Sequence, residues 1–583
     1  MRAGYLIPAL CAALIALAGP QKPPLRQLRV PVAMRDGVRL SANVFLPSER
    51  GRFPTILIRT PYGKGSDLVP NWQALVDHGY AVVVEDVRGR YESEGAFEPL
   101  TQEPSDGSDT IDWIARQTWS DGNVGMTGGS YLGIVQWKAA LTGNPHLKAI
   151  FPVVSGYDDY LDRFYSTGGA LKLGNRLEWM AENLKAPGFH AGFSQFILHL
   201  PLRTADVAAS GAASEMYRQA MAHPAFDGFW RSISTRERID KVRIPVFAVG
   251  GWYDNFVESD LAAFAALHKT SSLNRILVGP WPHNMSRQFD GVDFGPGAQV
   301  PVRQLQLEWF DRWLMGKNAP PVSTPPVKYF VMGSNRWREC RQWPPEDAQP
   351  GVWYLDSNGG ANTLTGDGVL AGTPPARQRA PRDSFVYDPR DPPPTRGGAV
   401  CCNPDVFPWG PMDQRPVERR RDVLVFTSRA LARDLEVAGP VKAVLYVSTT
   451  AKDTDFTAKL VDVFPDGMAR NLTDGILRLR YRDSLEKPQP ATPGEVYRIA
   501  VDAGVTANVF RKGHRIRLEI SSGNFPRFDR NLNTGGVSAD ETRPVKATQA
   551  LWHDRRRPSH LELTVIPEGA GVTVDRAIAG PRR

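Results

Sequence analysis

Cysteine is scarce, four in 583 residues. No CxxC pair and no HExxH stretch occurs, so neither a structural zinc site nor a zincin has a ligand set to build on. Long apolar runs are also lacking. Beyond the first twenty residues nothing approaches the ~18 apolar residues of a membrane-spanning helix. Charge of one sign is in only small excess: 70 Lys and Arg against 62 Asp and Glu leave +8. The two signs are interspersed, which gives nucleic-acid binding no support. Proline (49) and glycine (53) are plentiful but follow no period, which excludes collagen. What remains is a globular composition, 42% hydrophobic and 23% charged, with 15 Trp, 16 Tyr and 25 Phe for cores and pockets. At roughly 150 residues per domain the length suggests two to four domains.

The N-terminus reads as a targeting signal. Arg2 is its one charge, Leu6–Leu17 is apolar, and Ala16-Leu17-Ala18 fits a small-x-small cleavage site. Residues 1–18 are therefore expected to be a secretory signal peptide, and the protein to be exported, periplasmic or secreted, with no membrane attachment after cleavage. The mature chain keeps Cys340, Cys401 and Cys402. Three thiols allow at most one bridge. Cys340 with one of the adjacent pair is geometrically easier than a Cys401–Cys402 ring, and three free thiols is the other possibility.

Residues 27–156 alternate short apolar runs (TILIR at 55–59, YAVVVE at 80–85, Asn123–Met126, Leu147–Val153) with helical patterns at Asn71–His78, Gly107–Thr118 and Tyr131–Thr142. Alternation of this kind implies βαβ crossovers and a parallel sheet. Residues 157–240 carry helical patterns and no good strand, which marks an inserted helical cap. Strands and helices resume over 241–318. The run APPVSTPPV at 319–327 is a linker, and residues 328–583 show many short strands, as in a jelly-roll β-sandwich. The Pro- and Arg-rich stretch Arg377–Gln414 is expected to be a long loop bracing one domain on another.

In Asp121–Gly133, DGNVGMTGGSYLG, an apolar strand runs into Gly128-Gly129-Ser130 and a helix begins at once. Strand, tight turn, serine and helix make a nucleophile elbow, with the helix N-terminus offering a positive dipole where an oxyanion would form. The usual G-x-S-x-G is not met, because Leu132 holds the fifth position and Gly133 follows. In an α/β-hydrolase core the order is Ser, then Asp or Glu, then His, each after a strand. After the cap, IPVFAVG ends in Gly250-Gly251-Trp252-Tyr253-Asp254, and RILVGPW ends in Pro282-His283-Asn284. Asp254 and His283 thus complete a candidate triad with Ser130. The Tyr131 amide is the expected first oxyanion donor. The loop RTPYGK at 59–64 has no HGGG motif, so the Tyr62 phenol is the candidate second donor.

RTPYGKG, EDVRGRYESEGAF, WSDGNVGMTGGSYLG, VGGWYDNF and VGPWPHN, in this order, resemble the cocaine esterase-like hydrolases. Their wider group holds X-Pro dipeptidyl peptidases, α-amino acid ester hydrolases and glutaryl β-lactam acylases. The resemblance implies an α/β-hydrolase core, a helical cap and a C-terminal jelly-roll. It also implies Ser130, Asp254 and His283 as triad, and Tyr62 with the Tyr131 amide as oxyanion hole. Phe256 matches an acyl-pocket aromatic, and Trp281 and Trp252 are lining candidates. Amino acid ester hydrolases place acids just after the triad Asp. Here Asn255-Phe256-Val257 follows and Glu258 comes too late, which favours a neutral or aromatic acyl group. The implied activity is cleavage of small-molecule carboxylic esters, or of amides, through an acyl-enzyme with no metal or organic cofactor. Alternatives are an X-Pro dipeptidyl peptidase, a β-lactam acylase-type amidase and, from another class, a non-catalytic secreted carbohydrate-binding protein. Oligomeric state is not readable.

Overall fold

The computed structural model describes residues 25–317, 325–379 and 381–568. The expected signal peptide and most of the expected linker lie outside these residues. The first sheet has ten strands: β1 Leu25–Ala33, β2 Arg39–Leu46, β3 Phe53–Thr60, β4 Ala81–Asp86, β5 Ser120–Gly129, β6 Leu147–Val153, β7 Phe247–Gly251, β8 Arg275–Gly279, β9 Val327–Val331 and β10 Arg336–Cys340. Their spatial order is β1-β2-β4-β3-β5-β6-β7-β8-β9-β10. From β4 to β9 all neighbours are parallel, and the edge pairs are antiparallel. Every residue of β4 is buried and only the first of β3 is not. That is the condition of strands covered on both faces, and it is why they read as unbroken apolar runs. Helices α1 Pro70–Asp77, α2 Glu103–Ala115 and α3 Tyr131–Ala140 make the crossovers.

The cap follows β6 and ends before β7. It contains a π-helical turn at Asp159–Phe164 and α4 at Leu173–Asn183, then several short helices. No extended strand forms there among the described residues. The sandwich holds twelve strands in one hydrogen-bonded set.

The expected boundary at 328 does not coincide with a change of sheet. β9 and β10 belong to the first sheet, since Val327–Tyr329 pair in parallel with Ile276–Val278 of β8. A Pro-rich stretch marks a chain that cannot be helical, but it does not say which sheet the next strand joins. The bracing stretch also differs in part: Asp383–Tyr387 is a strand paired with Ala547–Leu551. The remainder reaches the cap, where the Cys401 and Cys402 amides donate to Asn175 Oδ1 and Glu178 Oε2, both at 3.3 Å.

Two cores form. One lies between the sheet, its helices and the cap. The other joins Trp252, Tyr253, Val257 and Leu261, which follow β7, to the sandwich interior. The sandwich therefore packs on the segment that carries Asp254.

Candidate active site

Four candidate side chains stand just beyond C-terminal strand ends: Tyr62 after β3, Ser130 after β5, Asp254 after β7 and His283 after β8. This is the edge where open α/β sheets meet ligands. Ser130 has φ 57° and ψ −125°, a left-handed conformation that a side chain pays for in strain. Its amide donates to Val153 O at 3.0 Å, which ties the turn to β6. The displaced glycine of the motif has a steric reason. A Cβ on Gly133 would lie 2.4 Å from Ser155 Cβ, so here the close approach falls one residue later than in G-x-S-x-G. The Tyr131 amide opens α3 and has no intrahelical acceptor.

Asp254 and His283 meet because their loops are zipped together. Trp252 N donates to Gly279 O at 2.9 Å and Tyr253 N to Trp281 O at 3.0 Å. Gly251 permits this register, since a Cβ there would lie 2.3 Å from Trp281 O. Asp254 is fully buried. Its Oδ1 accepts the Phe256 amide at 3.0 Å, and its Oδ2 faces His283 Nδ1 at 2.7 Å. The carboxylate thereby selects the tautomer with Nδ1 protonated and leaves Nε2 as the basic nitrogen. The Phe256 ring packs on the imidazole, centroids 5.7 Å apart.

Ser130, Tyr62, Tyr131 and Phe256 line one pocket under the cap, together with Arg163, Asn175, Arg176, Trp179, Asn255, Cys401 and Cys402. Tyr62 Oη accepts from Trp179 Nε1 at 3.1 Å. Burial lifts the Tyr62 phenol above its ordinary value, while hydrogen bonds from Trp179 and Ser130 and the charges of Arg163 and Arg176 act in the opposite sense. A phenol kept neutral beside the serine oxygen is a competent donor to an oxyanion.

Trp252 and Trp281 are corrected as lining candidates. Trp252 Nε1 donates to Phe330 O at 2.6 Å and its ring packs on Trp343. Trp281 Nε1 donates to Ala298 O at 2.9 Å and its ring packs on Trp337. Both are spent on positioning the two loops. The residues that sequence reasoning missed, Trp179, Arg176 and Asn175, lie on α4. Their signal was present as a 3- and 4-residue spacing on an expected helix, but nothing local says that this face turns to Ser130.

The cysteines also differ from the easier pairing. Cys401 and Cys402 are bonded to each other, and Cys340 is a free, buried thiol. The donor atoms of His283, Cys401 and Cys402 lie within 4.8 Å of one another. With the sulfurs joined and Nδ1 facing Asp254, this group offers a metal one imidazole nitrogen and no thiolate.

Beneath the site Arg59 is completely buried with Glu85 and Glu103, at 2.7 and 2.5 Å. Glu103 Oε1 accepts the Tyr131 hydroxyl at 2.5 Å, so this network holds the residue that follows Ser130. Arg59→Met strands two carboxylates in the core. It is expected to cost about 3–5 kcal/mol, read as a fall of the melting temperature by roughly 10 °C. An unshifted melting temperature would show that the carboxylates simply take up protons at no cost.

Comparison with known proteins also finds two parts. A family described as X-Pro dipeptidyl-peptidase (S15 family) matches residues 36–285. One described as X-Pro dipeptidyl-peptidase C-terminal non-catalytic domain matches residues 321–562. The chain is 40% identical to a cocaine esterase of Rhodococcus sp. (strain MB1 Bresler) over 571 residues, 92% of this chain and 98% of that protein. Among solved structures, an α-amino acid ester hydrolase superposes with a TM-score of 0.79 at 25% identity, covering 97% of this chain and 100% of that one. An aminopeptidase from a marine sediment archaeon, Thaumarchaeota archaeon, gives 0.81 at 27%, covering 94% and 97%.

Proposed function

Since the chain belongs to the family of the cocaine esterases and S15 X-Pro dipeptidyl-peptidases and is a serine ester hydrolase, we propose that Ser130 is its nucleophile, His283 its general base and acid, and Asp254 the residue that orients His283. In this reading Ser130 Oγ attacks the carbonyl carbon of a carboxylic ester and His283 Nε2 takes its proton. The Tyr62 hydroxyl and the Tyr131 amide bind the oxyanion. Collapse of the tetrahedral intermediate expels the alcohol, protonated by His283. Water, deprotonated by the same nitrogen, then releases the acid. The observation that carries the assignment is the strained turn at Ser130, which sets this serine among Tyr62, Tyr131 and Phe256 in one pocket.

A fluorophosphonate probe tests it. The wild-type protein should be labelled on one serine and Ser130→Ala should not be labelled. Undiminished labelling of that variant would move the nucleophile elsewhere. Tyr62→Phe is expected to lower kcat roughly 10²–10³-fold, the worth of one oxyanion donor, with KM little changed. An unchanged kcat would make Tyr62 a packing residue.

The exopeptidase alternative is less supported. A substrate ammonium needs carboxylates, and the pocket lining offers Asp162 alone against Arg163 and Arg176. A non-catalytic binding role is not retained for a chain whose relatives are hydrolases. Export rests on the reading of residues 1–18. Among the described residues no helix is long and apolar enough to cross a membrane.

A further inference from the structure

The proposed mechanism leaves the linked cysteines beside it unused. Cys401 and Cys402 line the pocket of Ser130. With a ring nitrogen of His283 their sulfurs form a trio of donors within 4.8 Å of one another. Asp254 Oδ2 occupies Nδ1 at 2.7 Å, so the nitrogen open to a ligand is Nε2. The cysteines are held in place by more than their bond. Gly398 and Gly410 close the base of their loop with two backbone hydrogen bonds, of 2.8 and 3.0 Å. The Cys401 amide donates to Asn175 Oδ1 and the Cys402 amide to Glu178 Oε2, both on α4. Asn403 Nδ2 donates to Glu182 Oε1 at 3.2 Å, and the Phe407 ring stacks on Phe193, centroids 6.1 Å apart. None of these contacts uses sulfur, so they can hold two thiols beside His283 once the bond opens.

Two thiolates and an imidazole suit a thiophilic cation with a filled d shell, which a disulfide does not bind. Metal bonds of about 2.3 Å to sulfur and 2.0–2.1 Å to nitrogen set the donors of a tetrahedral site roughly 3.5–3.8 Å apart, a spacing that small side-chain rotations reach from the trio. We infer that opening the Cys401–Cys402 bond turns this wall of the pocket into a site for Zn²⁺ or Cd²⁺, held by both sulfurs and His283 Nε2, and that the bound metal silences hydrolysis. The silencing rests on His283 as the base, since a lone pair given to the metal cannot take the Ser130 proton. A thiol or phosphine reductant opens the bond. Two electrons and two protons enter and two thiols form, while the reductant leaves as a disulfide or, with oxygen from water, as a phosphine oxide. The cation then displaces one proton from each thiol with no change of oxidation state. The linked form has no thiolate there and keeps Nε2 free, so hydrolysis is metal-sensitive only after reduction.

The experiment titrates Cd²⁺ into oxidised protein and into protein reduced with a trialkylphosphine and desalted without air. The reduced protein should develop the ultraviolet cadmium–thiolate charge-transfer band at one ion per chain. Its hydrolysis of a p-nitrophenyl ester, relative to its own metal-free rate, should fall by half at a Cd²⁺ concentration roughly 100-fold lower than for oxidised protein, because each ligand is worth at least what an outer-shell partner is. A chelator should restore the rate. Cys340 is a free thiol in both forms, so the comparison cancels it. His283→Ala, read by the band alone, should bind Cd²⁺ about tenfold more weakly or worse. Equal metal sensitivity of the two forms, or a reduced protein without the band, overturns the site. A band that His283→Ala leaves unweakened removes the imidazole, and the silencing with it. A band weakened by that substitution, beside wild-type turnover that continues under saturating Cd²⁺, keeps the three ligands and overturns His283 as the base.

Discussion

Replacing Ser130 by alanine is expected to lower kcat for p-nitrophenyl esters by about 10⁶-fold, with little change in KM. The magnitude follows from losing the attacking atom while the oxyanion donors and binding contacts remain, and those leave a residual 10³–10⁴-fold acceleration over water. The fold should survive. Ser130 carries its strain at φ 57°, and alanine occupies the same turn with the same Cβ. Steady-state hydrolysis beside circular dichroism decides the matter. A variant that keeps its spectrum and more than a hundredth of the wild-type rate would remove Ser130 from the chemistry.

Asp254→Asn is expected to cost about 10⁴-fold in kcat through a different cause. The amide fills the same volume and can still meet His283 Nδ1, now 2.7 Å from Asp254 Oδ2, but it can donate there. Donation selects the tautomer protonated at Nε2, which cannot accept the serine proton. The substitution also removes a fully buried carboxylate, so the melting temperature should not fall. Kinetics and melting together separate orientation from scaffolding. A loss of rate matched by a large loss of stability would mean that Asp254 is chiefly a structural link between its loops.

These two variants concern residues that were legible in the sequence. The core strands are buried on both faces and therefore apolar throughout, so β3, β4 and β6 announced themselves. Once they were placed, the order Ser, Asp, His followed from strand ends. What was not legible depends on contacts between distant segments. Arg163 and Arg176 face Ser130 only because the cap folds back over the sheet. Cys401 and Cys402 reach the same pocket from a stretch beyond it, held by Asn175 and Glu178. Trp252 and Trp281 flank the candidate triad in the chain and turn away from the pocket, since their N–H groups find backbone carbonyls at Phe330 and Ala298. Adjacency in the chain gave the position and not the direction. Which sheet β9 joins was not legible for a related reason, because an apolar run of five residues pairs equally well with either sheet.

The sandwich touches both sides of the candidate site. Its interior is continuous with Trp252 and Tyr253, and it holds the cap through Gly174 N to Pro526 O at 2.8 Å and Leu171 N to Asp529 Oδ1 at 2.8 Å. A half of the chain that carries none of the candidate reacting groups is thus the mould in which the other half sets. Recombination between relatives would have to carry cap, aspartate loop and sandwich across as one inheritance, and a chimera joined at the proline-rich seam would receive a mismatched mould.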